Sequence, residues 1–289
     1  MLVIFETLRP KQWIKNFFVF VPLVFSEKLF NPSAFITTLK AFFSFCLISG
    51  ALYTFNDLCD LEEDRLHPVK RNRPLASGRL KKSTAILIAA ISASLSFTLA
   101  FSINRAFVSI ILAYLLLQIL YSLKLKHLVI IDIFSVAAGF LLRIIAGALA
   151  IKVYISSWLL ICTILLALFL SMTKRRHEYL TLVDKAYEHR SSLKEYNPYL
   201  LDQMISVVTA STLIAYCLYT ISEETVDKFG TRNLVFTTPF VLYGIFRYLY
   251  LVHQKNQGGT PEEMVLKDQP LLFNIILWII SIFIILYLT

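Results

Sequence analysis

The sequence has few charged residues for its length. Only 16% of its 289 residues are Asp, Glu, Lys or Arg, whereas about a quarter of the residues in a soluble globular domain are charged. Hydrophobic residues make up 57% of the chain, and the mean hydropathy is +0.67. This composition excludes an ordinary soluble domain and predicts an integral membrane protein.

Cysteine and histidine are also scarce. The four cysteines are scattered, and neither they nor the five histidines show the close spacing of a zinc site or a disulfide framework. No Ser–His–Asp or Cys–His arrangement is recognisable. The sequence therefore gives no sign of zinc chemistry, of structural disulfides or of a nucleophilic triad.

Long apolar runs recur along the whole chain. They are of the length, about 17 to 25 residues, that a helix needs to cross a bilayer, and they are continuous rather than alternating. We therefore predict one all-α membrane domain, residues 1–289, with nine transmembrane helices. The predicted spans lie at about 16–30, 36–56, 84–102, 106–124, 128–150, 154–173, 200–221, 233–252 and 271–288.

Lys and Arg are unevenly distributed over the ends of these spans. Most of the 28 lie in the N-terminal arm or in the loops 57–83, 124–127, 174–199 and 253–270. Because cytoplasmic loops collect positive charge, we predict a cytoplasmic N-terminus, an outside C-terminus and charged loops on the cytoplasmic face. The net charge of +9 then follows from topology and requires no nucleic-acid partner.

A dense block of charge, NDLCDLEEDRLHPVKRNRPLASGR, follows the second predicted span. Asn56, Asp60 and Asp64 are four residues apart, and Asp57 lies three residues before Asp60, so a continuing helix would carry all four on one face. Carboxylates this close repel one another unless a cation lies among them. Oxygen-only ligands favour Mg²⁺. The spacing predicts a Mg²⁺ site; the alternative is a solvated loop that only marks topology.

Basic residues follow the acidic block directly, at Lys70, Arg71 and Arg73. Arginine side chains bind phosphate oxygens through paired N–H groups, so this loop could hold a metal-bound diphosphate from the opposite side. Taken alone, the basic run is also explained by the excess of positive charge in cytoplasmic loops.

A second polar cluster, YSLKLKHLVIID, contains Tyr121, Lys124, Lys126 and Asp132. An ionised Asp inside a membrane span costs on the order of 3 kcal/mol and usually marks function, although a buried structural ion pair is the alternative. Arg143 lies about 16 Å further along the same helix, so it cannot pair with Asp132 and each needs another partner.

Two motifs carry a family resemblance. NDLCDLEED resembles the NDxxDxxxD signature of the UbiA superfamily of intramembrane prenyltransferases, after the second of nine helices. The chain is most similar to the decaprenyl-phosphate phosphoribosyltransferase branch, through RPKQWIKN, YSLKLKHLVIID, GFLLRIIAGA, KRRHEY and KDQPLL. Ordinary prenyltransferases have a second motif, DxxxD, but here Val136 stands four residues after Asp132. This difference favours the phosphoribosyltransferase branch.

The resemblance implies a UbiA-like helical bundle in the cell (inner) membrane, with a polar cavity facing the cytoplasm. It implies Mg²⁺-dependent transfer of 5-phosphoribose from 5-phosphoribosyl 1-diphosphate to decaprenyl or undecaprenyl phosphate, in cell-wall biosynthesis. The alternative is a UbiA-type prenyltransferase acting on an aromatic or quinone precursor. A transporter lined by Asp132, Arg143 and Arg247 is disfavoured because no inverted repeat is evident. The sequence leaves a homo-oligomer open.

The resemblance also implies roles for individual residues. The implied metal ligands are Asn56, Asp57, Asp60 and Asp64, and the implied catalytic residues are Asp60, Asp64, Lys126 and Asp132. The implied substrate-binding residues are Lys15, Lys70, Arg71, Arg73, Tyr121, Lys124, Lys174, Arg175 and Arg176.

Overall fold

The structure is a computed structural model, and it describes residues 2–66, 69–181, 193, 195–255 and 261–288. Within these residues all regular secondary structure is helical, so the all-α prediction is confirmed. The α-helices are α1 (Leu2–Leu8), α2 (Val21–Phe25), α3 (Pro32–Cys59), α4 (Leu61–Leu66), α5 (Lys82–Ile103), α6 (Arg105–Leu123), α7 (Ile131–Ile151), α8 (Ser157–Thr181), α9 (Pro198–Ile221), α10 (Glu223–Phe229), α11 (Thr238–Gln254), α12 (Pro261–Lys267) and α13 (Gln269–Tyr287).

The chain forms two compact units, Met1–Ile155 and Ser156–Thr289. In the first unit, α3 packs against α5, α6 and α7. In the second unit, α8 packs against α9, and α11 packs against α13. The acidic block and the second polar cluster both belong to the first unit.

Eight helical segments in the described chain are long and apolar enough to cross a membrane. They match the second to ninth predicted spans, and they are Pro32–Cys59, Lys82–Ile103, Arg105–Leu123, Ile131–Ile151, Ser157–Leu180, Pro198–Ile221, Asn233–Gln254 and Gln269–Tyr287. The first predicted span, 16–30, differs: Pro10–Phe20 is a 3-10 helix, and only Val21–Phe25 is α-helical. Pro22 contributes to this, because proline has no backbone N–H for the hydrogen bonds of a continuous α-helix.

Buried aromatic and aliphatic side chains fill the centre of the first unit. The Phe45 ring of α3 lies 5.2 Å from the Tyr114 ring and 6.1 Å from the Phe107 ring, both in α6. Ser44 of α3 and Ser96 of α5 donate hydrogen bonds to each other's backbone carbonyl oxygens, at 3.1 and 2.8 Å. Small residues at a helix contact allow such a close approach within a membrane.

Asn16 connects the irregular N-terminal segment, residues 10–25, to two long helices by hydrogen bonds. Its side-chain nitrogen donates to Ser49 Oγ of α3 at 3.3 Å, and its Oδ1 accepts from Arg143 Nε of α7 at 2.8 Å. Gly147 lets the same segment approach α7, because a Cβ there would collide with the Val19 carbonyl oxygen. The segment is therefore held by side-chain hydrogen bonds and by close backbone contact.

Arg143 is a buried cation, 4% exposed, whose partners in the described residues are uncharged. Besides Asn16, it donates to the Gly139 carbonyl oxygen at 2.8 Å and to Tyr114 Oη at 2.7 Å. Its guanidinium also lies 4.8 Å from the Tyr114 ring centre, where the aromatic face attracts a cation. This network joins the N-terminal segment to α6 and α7.

We expect Arg143→Met to destabilise the protein. The substitution removes the guanidinium donor from two buried acceptors, Asn16 Oδ1 and Tyr114 Oη, and each unsatisfied buried polar group costs about 1–3 kcal/mol. The prediction is a fall of several degrees in the Tm measured in detergent. Arg105→Met is the control, because Arg105 is exposed at the start of α6. Equal effects of the two substitutions would contradict a stabilising role for the Arg143 network.

Candidate active site

The acidic block lies where α3 gives way to α4. Asp60 caps α3 with φ −94° and ψ 14°, and α4 begins at the next residue. The Asp60 N–H still donates to the Asn56 carbonyl oxygen at 2.9 Å, and the Asp64 N–H donates to the Asp60 carbonyl oxygen at 2.8 Å. Helical spacing therefore continues through the break and keeps Asn56, Asp60 and Asp64 in register.

Arg73 bridges two of the carboxylates. Its Nη1 donates to Asp57 Oδ1 at 2.9 Å and to Asp64 Oδ2 at 2.5 Å. Asp57 and Asp64 are only 4% and 2% exposed. Burying a carboxylate is costly unless a cation or a hydrogen-bond donor pairs with it, and Arg73 supplies both. Lys70 Nζ lies 3.9 Å from Asp64 Oδ1, whereas Arg71 is exposed on the same loop. The loop thus brings Lys70 and Arg73, but not Arg71, into contact with the acidic block.

Arg9 is a further candidate site residue, which the sequence analysis missed. Its Nη2 donates to Asp57 Oδ1, and its guanidinium lies 5.2 Å from the Tyr53 ring centre. Arg9 has a left-handed backbone, φ 52° and ψ 61°, at the junction between α1 and the 3-10 helix Pro10–Phe20. From the sequence we assigned Arg9 only to the positively charged N-terminal arm. The motif RPKQWIKN, which begins at Arg9 and contributes to the family resemblance, was the feature that could have identified it.

Lys126 connects the second polar cluster to the acidic block. Its Nζ donates to Asp60 Oδ1 at 2.5 Å, and Asn56 Nδ2 donates to Asp60 Oδ2 at 2.9 Å. Lys126 is 9% exposed and lies in a short 3-10 helix, Leu125–His127, between α6 and α7. Two motifs that are distant in sequence therefore form one site in the first unit.

Asp132 is buried, and it lies closer to the start of its helix than predicted. We expected it a few residues inside a span beginning near residue 128, whereas α7 begins at Ile131 and Asp132 is its second residue. Ile130, with φ 69°, delays the start of the helix. A carboxylate in the first turn lies at the positive end of the helix dipole, which favours a negative charge there.

The remaining candidates lie around these contacts or in the second unit. Lys15 and Tyr121 are partly buried, and Lys124 is exposed at the end of α6. In the second unit, Lys174, Arg175 and Arg176 lie together on α8. There Arg175 pairs with Glu178, and Arg176 Nε donates to Asp202 Oδ1 at 2.6 Å. Both arginines therefore have anionic partners inside their own unit.

The donor chemistry of the acidic block fits Mg²⁺. Within the described residues no three His, Cys, Asp or Glu side chains gather closely enough to hold a metal by themselves. Mg²⁺ commonly needs only one or two protein carboxylates, because water and substrate phosphate complete its shell. Asp57, Asp60 and Asp64 supply hard oxygen ligands beside basic groups suited to phosphate. The arrangement therefore suits a metal that is bound with a phosphate ligand.

Comparison with known proteins identifies the family. The sequence pattern described as the UbiA prenyltransferase family matches residues 17–275. The chain belongs to the UbiA prenyltransferase family. The resemblance found from NDLCDLEED is thereby confirmed. With its apolar spans, this UbiA-family chain is an integral membrane protein.

Curated relatives of this UbiA-family chain carry a more specific name. It is 34% identical to the decaprenyl-phosphate phosphoribosyltransferase of Corynebacterium glutamicum, over 96% of this chain and 84% of the relative. It is 30% identical to the enzyme of the same name from Mycolicibacterium smegmatis, over 95% and 89%. The solved UbiA homologue from Archaeoglobus fulgidus bound to GPP and Mg²⁺ is similar in fold, with a TM-score of 0.74 and 18% identity over 98% of this chain and 99% of that chain.

Burial raises the pKa of Asp64 above its usual range, although Arg73 and Lys70 act in the opposite direction. Because the folded-state pKa lies above the unfolded value of about 3.9, ionised Asp64 destabilises the fold at neutral pH. That cost disappears as the pH falls through the folded pKa towards the unfolded pKa.

We therefore expect Asp64→Asn to be at least as stable as the parent at pH 7.5 in the presence of a chelator. The gap in Tm should close as the pH falls towards about 4, because the parent carboxyl becomes neutral too. Glu63→Gln is the control, since Glu63 is exposed on the same helix. A less stable Asp64→Asn protein at pH 7.5, with a gap that persists at low pH, would contradict the prediction.

Proposed function

We propose that this protein transfers 5-phosphoribose from 5-phosphoribosyl 1-diphosphate to a polyprenyl phosphate and releases diphosphate. The observation that carries the proposal is the near full-length similarity to decaprenyl-phosphate phosphoribosyltransferases, 34% identity over 96% of the chain. The site geometry supports it, because carboxylates and basic groups suited to an anionic, metal-bound donor lie together in one unit.

The proposed reaction exchanges one bond at the anomeric carbon of ribose. The bond from C1 to the diphosphate oxygen breaks, and its electron pair leaves with the diphosphate. An oxygen of the polyprenyl phosphate forms the new bond to C1, which carries oxocarbenium-like charge during the exchange. The acceptor oxygen is already anionic, so the reaction needs no strong general base. This agrees with a site that consists of carboxylates, lysines and arginines.

The residues of the first unit then have distinct proposed roles. Asp57, Asp60 and Asp64, with Asn56, would hold Mg²⁺, which when bound neutralises charge on the leaving diphosphate. Arg9, Lys70 and Arg73 would contact diphosphate oxygens, with Lys15 and Arg71 nearby in sequence. Lys126 and Asp132, with Tyr121 and Lys124, would position the ribose and its 5-phosphate. In the second unit, Lys174, Arg175 and Arg176 would bind the lipid phosphate.

The proposed setting is a single UbiA domain in the cell membrane. It would consist of nine membrane crossings, the eight long apolar segments and the irregular segment 10–25, with a polar cavity and the site at the cytoplasmic face. The family match spans residues from both units, which supports one domain.

The test is a purified-protein assay with labelled 5-phosphoribosyl 1-diphosphate and a panel of polyprenyl phosphates. We expect diphosphate release that depends on both the polyprenyl phosphate and Mg²⁺. Release from a prenyl diphosphate in the presence of an aromatic acceptor, with none from the phosphoribosyl donor, would instead identify a prenyltransferase. Movement of an unchanged substrate into sealed vesicles would identify a transporter.

Asp60→Asn should reduce transfer by about 100-fold or more, a typical cost of losing one charged group that acts in the transition state. The variant should still insert and elute as the parent does. Glu62→Gln is the matched control, because Glu62 lies two residues further on but is exposed and pairs with Arg65. Equal activity of Asp60→Asn and Glu62→Gln would count against the proposed site.

The membrane arrangement predicts termini on opposite sides. A fluorescent-protein fusion after Arg79 should fluoresce, because the loop is cytoplasmic, and an alkaline phosphatase fused after the last residue should be active outside. Seven of the proposed crossings follow Arg79, so an inactive C-terminal phosphatase together with a fluorescent fusion after Arg79 would contradict that number.

A further inference from the structure

One nitrogen of Arg73 lies between Asp57 and Asp64, two of the carboxylates that are proposed to hold the metal. Nη1 contacts Asp57 Oδ1 at 2.9 Å and Asp64 Oδ2 at 2.5 Å. Asp57 belongs to α3 and Asp64 to α4, so one guanidinium group connects the two helices that carry the acidic block. A cation shared by the same two carboxylates would lie where this nitrogen lies.

The other basic groups complete the neutralisation of the block. Arg9 contacts the same Asp57 oxygen as Arg73, Lys126 contacts Asp60, and Lys70 lies 3.9 Å from Asp64. Within the described residues, these three carboxylates thus face four cations, so together they carry no net negative charge that would attract a free metal ion.

We propose that Arg73 is an internal counter-ion that competes with the divalent cation for Asp57 and Asp64. Metal and diphosphate then bind together, and metal alone binds weakly. The inference rests on the metal-dependent diphosphate chemistry of the proposed function and adds an order of binding to it. Arg73 has two sets of partners: the carboxylates in the absence of substrate, and the diphosphate oxygens in its presence.

Electrostatics gives the reason for this coupling. Like charges at close range repel strongly at the reduced effective dielectric constant of a protein site, and a divalent cation is repelled more than a monovalent one. A lone divalent cation entering between Asp57 and Asp64 would meet Arg73 at close range and Arg9 nearby. Diphosphate removes the conflict, because its oxygens accept hydrogen bonds from arginine as well as carboxylates do. Arg73 can then leave the carboxylates without losing its charge partner.

The experiment is equilibrium dialysis of Mn²⁺ against the full-length protein in detergent, with and without inorganic diphosphate. We expect the parent to bind Mn²⁺ weakly alone and at least tenfold more tightly with diphosphate. Arg73→Gln removes the internal cation, so it should bind Mn²⁺ alone at least tenfold more tightly than the parent does. Its gain on adding diphosphate should be smaller than the parent's.

Two further variants separate competition from a structural role. Arg73→Lys keeps a positive charge and should behave like the parent in Mn²⁺ affinity within about threefold. Arg65→Gln removes an exposed arginine that pairs with Glu62, and it should leave Mn²⁺ binding unchanged. Unaltered elution and Tm would verify that each variant is folded.

Three results would overturn the inference: tight Mn²⁺ binding by the parent without diphosphate, no gain in affinity for Arg73→Gln, or the same gain for Arg65→Gln. None of these results depends on turnover, so the proposed function is judged separately. Phosphoribosyl transfer by a parent that binds Mn²⁺ tightly alone would overturn only the inference. The expected Mn²⁺ pattern without any transfer would overturn only the proposed function.

Discussion

Buried carboxylates at the end of a membrane helix are stable only if cations face them, and this requirement organises the first unit. Asp57 and Asp64 are almost fully buried, and both contact one nitrogen of Arg73. Cations from three chain segments neutralise the acidic block: Arg9 just before Pro10–Phe20, Arg73 in the loop after α4, and Lys126 between α6 and α7. Folding of these segments therefore assembles the site.

The irregular N-terminal segment helps to form the site because it places Arg9 against Asp57. The 3-10 helix Pro10–Phe20 begins directly after Arg9, whose side chain contacts Asp57. Asn16 and Arg143 hold this segment against α3 and α7 with buried hydrogen bonds. Arg143 therefore stabilises the scaffold of the site from a position deep among uncharged groups.

The candidate site also links stability to the proposed function. Burial raises the pKa of Asp64, so ionising this carboxyl costs folding free energy at neutral pH. The same burial keeps water away from the carboxylates and strengthens every charge interaction around them. A diphosphate that takes over Arg73 would leave Asp57 and Asp64 to the metal, which connects the charge balance of the folded protein to substrate binding.

The sequence by itself determined the long apolar helices, because length and hydrophobicity decide which segments can cross a bilayer. It also determined that Asn56, Asp60 and Asp64 share one helical face, because helical spacing is a local property. Only the tertiary structure decided that Lys126 pairs with Asp60 and that Arg9 pairs with Asp57. It also decided that residues 10–20 form a 3-10 helix and that α7 begins at Ile131, one residue before Asp132. These features depend on charge pairing between segments distant in sequence and on backbone strain at Arg9 and Ile130, which no local pattern records.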